Sequence, residues 1–125
     1  MATIKLYTDL EQSKKLAKIL PLESADMYWM HGKLDNVKQH PTPNIIGNDH
    51  DEPLWDDYDV PCWSLTALLS VLPLPSLIQD KADDELFWKC SAYNEDGTLL
   101  CEIYDNNPVD ACYEMIIKLH ELNLL

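Results

Sequence analysis

The chain has 125 residues, and 9 lysine-plus-arginine positions against 22 aspartates and glutamates set its formal charge at −13. One ordinary domain fits that length, and Leu, Ile, Val and Phe fill 33 positions, too many for a charged chain that stays disordered. All nine basic residues are lysines, so the guanidinium chemistry that reads phosphate and guanine is missing, and the net charge sets a repulsive field against direct nucleic-acid binding.

No apolar run is long enough to span a bilayer, and Met1-Ala2-Thr3-Ile4-Lys5 does not open a secretory leader. A cytoplasmic protein is therefore expected, with Cys62, Cys90, Cys101 and Cys112 as thiols; no C-x-x-C pair supports a zinc ribbon or a thioredoxin-like motif.

The first element is a helix from Asp9 to Leu20. Thr8 and Glu11 have capping-box spacing, Leu16, Ala17, Ile19 and Leu20 face inward, and Pro21 ends the ladder. Asp26 to His31 reads as a short strand apolar on both faces. From Gly32 to Pro61 periodicity disappears, and Pro41, Pro43, Pro53 and Pro61 mark a long irregular loop or insertion.

Order returns at Cys62 to Leu72. Ser64 is the N-cap, Leu65, Leu68, Leu69 and Leu72 recur with helical spacing, Trp63 and Leu68 have the spacing of a hydrophobic staple, and Pro73 is the stop. Leu86 to Tyr93 and Thr98 to Tyr104 read as a hairpin around Asn94 to Gly97. A four-residue loop sets Cys90 opposite Cys101, Trp88 opposite Ile103 and Lys89 opposite Glu102. The Lys89–Glu102 ion pair favours this register over an Asp96-Gly97 turn, which sets Lys89 against Tyr104.

The last helix starts at the Asn107 cap with Pro108 in its first position. Val109, Cys112, Met115, Ile116, Leu119 and Leu122 form its apolar stripe, and Glu114 precedes Lys118 in the favourable i, i+4 order. The sum is a single α+β domain over residues 1–125. Three helices pack on the Trp88/Cys90/Leu99/Cys101 face of a small, mainly antiparallel sheet, with a long acidic loop at about 32–61.

Catalytic and metal readings find little to stand on. Cys90 and Cys101, if opposite, lie near disulfide range, but two small core hydrophobes are the commoner outcome. Cys62 precedes a helix start, which favours a thiolate, while the nearby carboxylates oppose one; Cys112 lies on the apolar stripe. His120-Glu121 begins a metalloprotease pattern whose second histidine position is Leu124. His31, His40, His50 and His120 have no ligand spacing, and the acidic stretch 48–59 lacks the order of an EF-hand loop. No glycine-rich phosphate loop or G-x-S-x-G occurs. No catalytic set, metal or cofactor is expected.

The distinctive stretch is Asp49-His50-Asp51-Glu52-Pro53-Leu54-Trp55-Asp56-Asp57-Tyr58-Asp59, with six carboxylates and no lysine. Aromatic anchors inside a ring of like charge suit a basic protein surface. Asp49, Asp51, Glu52, Trp55, Asp56, Asp57, Tyr58 and Asp59 are the candidate partner-binding residues. The plain alternative is a solvated loop whose Trp55 tucks into its own domain.

The blocks Glu23-Ser24-Ala25-Asp26-Met27-Tyr28-Trp29, Cys62-Trp63-Ser64-Leu65-Thr66-Ala67-Leu68-Leu69 and Asn107-Pro108-Val109-Asp110-Ala111-Cys112 resemble a family of small acidic proteins of uncharacterised function. That family occurs in anaerobic gut bacteria and their phages and mobile elements. The resemblance spans most of the chain outside Gly32–Pro61 and implies a mobile-element setting, with no catalytic residue to carry over. By analogy with small acidic phage proteins, the expected function is a non-enzymatic binding or inhibitor protein. It would dock a basic host partner, such as a nucleic-acid-binding protein whose substrate it mimics. The alternatives are a small metal-dependent hydrolase using His50 and neighbouring carboxylates, and a homodimeric structural accessory. No membrane partner is expected.

Overall fold

The computed structural model of the chain describes residues 5–29 and 60–125, and the backbone of 44–45. The first helix, α1 (Leu10–Leu16), is shorter than expected and is capped one residue later. Asp9, not Thr8, is the N-cap: its carboxylate accepts from the Gln12 N–H at 2.8 Å, and the Gln12 amide oxygen accepts from the Asp9 N–H at 3.1 Å. D-x-x-Q thus outcompetes T-x-x-E, because the Thr8 hydroxyl is engaged elsewhere. It lies fully buried, 2.8 Å from the Ser13 hydroxyl, and accepts from the Trp63 N–H at 3.2 Å. Ser13 and Leu16 face inward, whereas Ala17 is exposed.

After a 3-10 turn at Leu22–Ser24, strand β1 (Met27–Trp29) pairs antiparallel with β2 (Asn44–Ile45) on one side and β3 (Val60–Cys62) on the other. The expected irregular stretch 32–61 therefore contributes two short strands to a sheet. Pro61 is tolerated within β3 because the strand lies at the sheet edge, opposite Tyr28. Residues 6–8 run beside the end of β3: the Thr8 N–H donates to the Trp63 carbonyl at 3.0 Å, and the Leu65 N–H to the Leu6 carbonyl at 3.1 Å.

Helix α2 (Leu65–Val71) begins at Ser64 as its sequence predicts, with the hydroxyl accepting from the Ala67 N–H at 3.2 Å. Trp63 and Leu68 are both fully buried in the core. Beyond Pro73 comes a strand that no sequence pattern announced, β4 (Ser76–Ala82). It turns through Asp83 and Asp84, at φ of 51° and 66°, into β5 (Glu85–Tyr93). Two positive-φ residues joining directly paired strands, Ala82 to Glu85, make the tight turn whose twist matches that of a hairpin.

The turn from β5 to β6 (Leu99–Asp105) corrects the expected register. Its loop is three residues, closed by the Asn94 N–H to the Thr98 carbonyl at 2.9 Å, with Gly97 at φ 87°. The Asn94 side-chain oxygen accepts from the Asp96 and Thr98 N–H groups, each at 3.1 Å. Leu100 is then an unpaired bulge between the Tyr93–Leu99 and Ala92–Cys101 pairs. Beyond it Cys90 faces Ile103, Lys89 faces Tyr104 and Trp88 faces Asp105, while Glu102 lies opposite Ser91. Turn geometry overrides a surface ion pair worth roughly half a kcal/mol. Leu99, expected inward, is exposed; the half-buried Leu100 packs on the core in its place.

Helix α3 (Pro108–Glu121) begins at Asn107, whose side chain accepts from the Val109 N–H at 2.9 Å. It ends with Asn123 at φ 59° and a bond from the Leu124 N–H to the Leu119 carbonyl at 2.8 Å, a left-handed cap filled by asparagine. Val109, Cys112, Met115, Ile116 and Leu119 are fully buried; Leu122, assigned to the same stripe, is exposed. Among the described residues Lys118 joins none of the ion pairs, and Asp105 is close enough to Glu114 to help push its carboxyl up.

The architecture is α+β, and the described residues form two three-stranded antiparallel sheets, ordered β2-β1-β3 and β4-β5-β6, in place of one. Helix α3 lies against β5, β6 and α2. The core joins its stripe to Leu16, Trp63, Leu68, Cys90 and Ala92. Lys5 ties the start of the described chain to the first turn of α3: its ammonium donates to Asp9 at 3.3 Å, Gln12 at 3.0 Å and Asp110 at 2.7 Å.

Candidate interaction surface

The candidate partner-binding residues Asp49, Asp51, Glu52, Trp55, Asp56, Asp57, Tyr58 and Asp59 lie outside the described residues. The strand that follows them is fixed: Val60 pairs with Trp29, which is buried and donates from its indole nitrogen to the Ser13 hydroxyl at 3.2 Å.

Each cysteine has a place. Cys62 is fully buried, and its sulfur donates to the Thr8 carbonyl at 3.4 Å. Burial is the main influence pushing its thiol up, and Asp26 pushes the same way. Burial and the raised titration of the thiol both oppose the thiolate that a helix-start position favours. Cys90 and Cys101 are not opposite one another. The sulfur beside Cys90 is that of Cys112 at 3.8 Å, and all four cysteines are free. The hydrogen bond to Cys90, followed by burial, pushes the Cys112 thiol far up.

A second polar group lies at the start of α2. Asp26 accepts from the Ser64 N–H at 2.9 Å and from the Ser64 hydroxyl, and the Trp63 indole donates to the Ser24 hydroxyl at 2.9 Å. These bonds pin the 3-10 turn to the helix cap. His120 is exposed near the end of α3, and among the described residues no group of three or more His, Cys, Asp or Glu is placed to hold a metal ion. An open hollow of about 550 Å³ lies between the residue 73–74 bend, the β5–β6 turn and Leu124; its walls are largely apolar, from Pro73, Leu74, Tyr93 and Leu100.

The described surface with interface character is the face of the second sheet turned away from α3. The inward row Leu77, Cys90 and Ile103 meets the core, so its neighbours Ile78, Lys89 and Tyr104 form the outward row. Ile78 is 48% exposed and Tyr104 56%. Phe87 shares that face, with its ring centroid 5.7 Å from that of Tyr104 at an interplanar angle of 58°. Opposite Phe87 stands Asp80, and the Tyr104 hydroxyl donates to Glu102. That hydrogen bond is the main cause holding the phenol above its usual titration range, with Asp80 adding a smaller repulsion. The sequence does not announce this surface, because β4 carries no strand pattern of its own and because pairing Lys89 with Glu102 hides its place between Ile78 and Tyr104.

Comparisons with protein-family models, with curated proteins and with solved structures find no match to this chain. No helix among the described residues is long and apolar enough to cross a membrane.

Proposed function

We propose that this chain is a non-enzymatic binding protein that docks a basic partner protein, with the acidic, aromatic segment 49–59 as its main contact. The observation that carries the reading is a charge of −13 with every cation a lysine, concentrated in a stretch of six carboxylates, one tryptophan and one tyrosine that contains no lysine. Such a field accelerates encounter with a positive surface, and aromatic side chains supply the short-range contact that holds it. We further propose the setting of a phage or mobile element, in which the protein occupies the basic nucleic-acid-binding surface of a host enzyme.

The test is affinity capture from host lysate on the immobilised protein at low and moderate salt, with a 48–59 deletion alongside. The expected result is a basic protein retained by the intact chain, released by salt and not retained by the deletion. Capture unchanged by the deletion moves the site elsewhere. Empty eluates at both salts overturn the reading and direct attention to metal content and to self-association.

A further inference from the structure

We propose that the outward face of the β4–β5–β6 sheet is a docking surface for an extended, lysine- or arginine-bearing segment of the partner protein. The inference rests on the binding function above and adds a second surface, apart in sequence from 49–59.

Large side chains normally leave water when a neighbour is available. Here Ile78 and Tyr104 are 48% and 56% exposed in the two strands that flank β5, on either side of Lys89. Phe87 extends the patch along β5 and stacks at a tilt on Tyr104. Two carboxylates border it, Asp80 opposite Phe87 and Glu102 bonded to the Tyr104 hydroxyl. A phenol that donates to a carboxylate presents an electron-rich ring, and a cation over such a ring is attracted to its face. Apolar contact from Ile78, ring faces from Phe87 and Tyr104, and carboxylates at the border together complement a basic side chain and its aliphatic stem. They do not complement a second copy of this chain, whose charge of −13 opposes self-association. Lys89 is the single cation in the outward row, and its charge weakens the fit.

That last point supplies a test that misfolding cannot imitate. The probe is a dye-labelled nonapeptide alternating arginine and valine, titrated by fluorescence anisotropy at low salt against the full chain and four variants. Tyr104→Ser, which leaves the net charge unchanged, is expected to weaken binding by about fivefold. Lys89→Glu is expected to tighten it by about fivefold, and Lys118→Glu, the same charge change on the exposed side of α3, by less than about twofold. Equal gains from Lys89→Glu and Lys118→Glu, with no loss for Tyr104→Ser, overturn the inference, since attraction is then general. Loss only on deleting 48–59 also overturns it, while leaving the basic-partner reading intact. No binding by the unmodified chain overturns both.

Discussion

Cys101 is the half-buried member of a set whose other three cysteines have no exposed surface. A thiol reagent should accordingly modify one cysteine quickly in the native protein and the remaining three only as it unfolds; peptide mapping after a short pulse should place the label on Cys101. Ser64 holds two structures at once, the first turn of α2 and the Asp26 carboxylate. Ser64→Ala removes a cap and strands part of a half-buried acid, at a cost of about 2 kcal/mol, against about 1 kcal/mol for a cap alone; urea titration measures the difference. Glu114 is held above the usual carboxylate range, by partial burial first and by Asp105 second. A carboxylate with a raised folded-state pKa favours folding at acid pH, and that contribution is lost as pH rises through the folded value. Glu114→Gln should therefore be at least as stable as the natural chain at pH 7, with any advantage shrinking as pH falls through the carboxylate range. An advantage that grows at low pH contradicts this. The caps at Ser64 and Asn107 were legible because each acts on a backbone N–H two or three residues away. Thr8 misled because its hydroxyl is claimed by Ser13 and Trp63, the latter 55 positions on, and no local pattern records such a claim.

Among the elements, the β4–β5 turn carries a local penalty. Asp83 and Asp84 both sit at positive φ, where a Cβ is crowded, and the pair places two like charges side by side. Replacing them by Asn-Gly is expected to stabilise the fold by about 1 kcal/mol, since the exposed Lys81–Asp84 contact at 3.7 Å that is lost is worth little. Thermal denaturation should show a midpoint higher by several degrees; an unchanged or lower midpoint contradicts the argument. The same pair hid β4 from sequence reading. Without glycine or asparagine the turn carries no familiar signal, and along Ser76–Ala82 only Leu77 and Ile78 are large apolar residues. Helix α3 was legible almost whole, because cap, N1 proline and stripe agree along one run of chain. The hairpin register was not, because it is set by the left-handed Gly97 and the Leu100 bulge rather than by cross-strand charge.

For the whole molecule, 22 carboxylates face 9 lysines, and three ion pairs join described residues. Unpaired like charges repel, and added salt screens them. The melting temperature should rise between low salt and about 0.5 M sodium chloride, and a flat or falling response means that the acids are locally compensated. The α+β class was readable from periodicity, whereas the division into two sheets depends on pairings such as Trp29 with Val60 that span an aperiodic stretch. The 49–59 segment was legible as composition alone, because carboxylates and aromatics declare a surface chemistry without declaring a shape. One further consequence follows from the place of α3 in the chain. It is synthesised after every element it packs against, and its Asp110 receives the ammonium of Lys5. Until it leaves the ribosome, the inner side of β5 and β6 lacks the helix that packs on it. The excess of carboxylates over lysines then keeps such unfinished chains apart by charge repulsion.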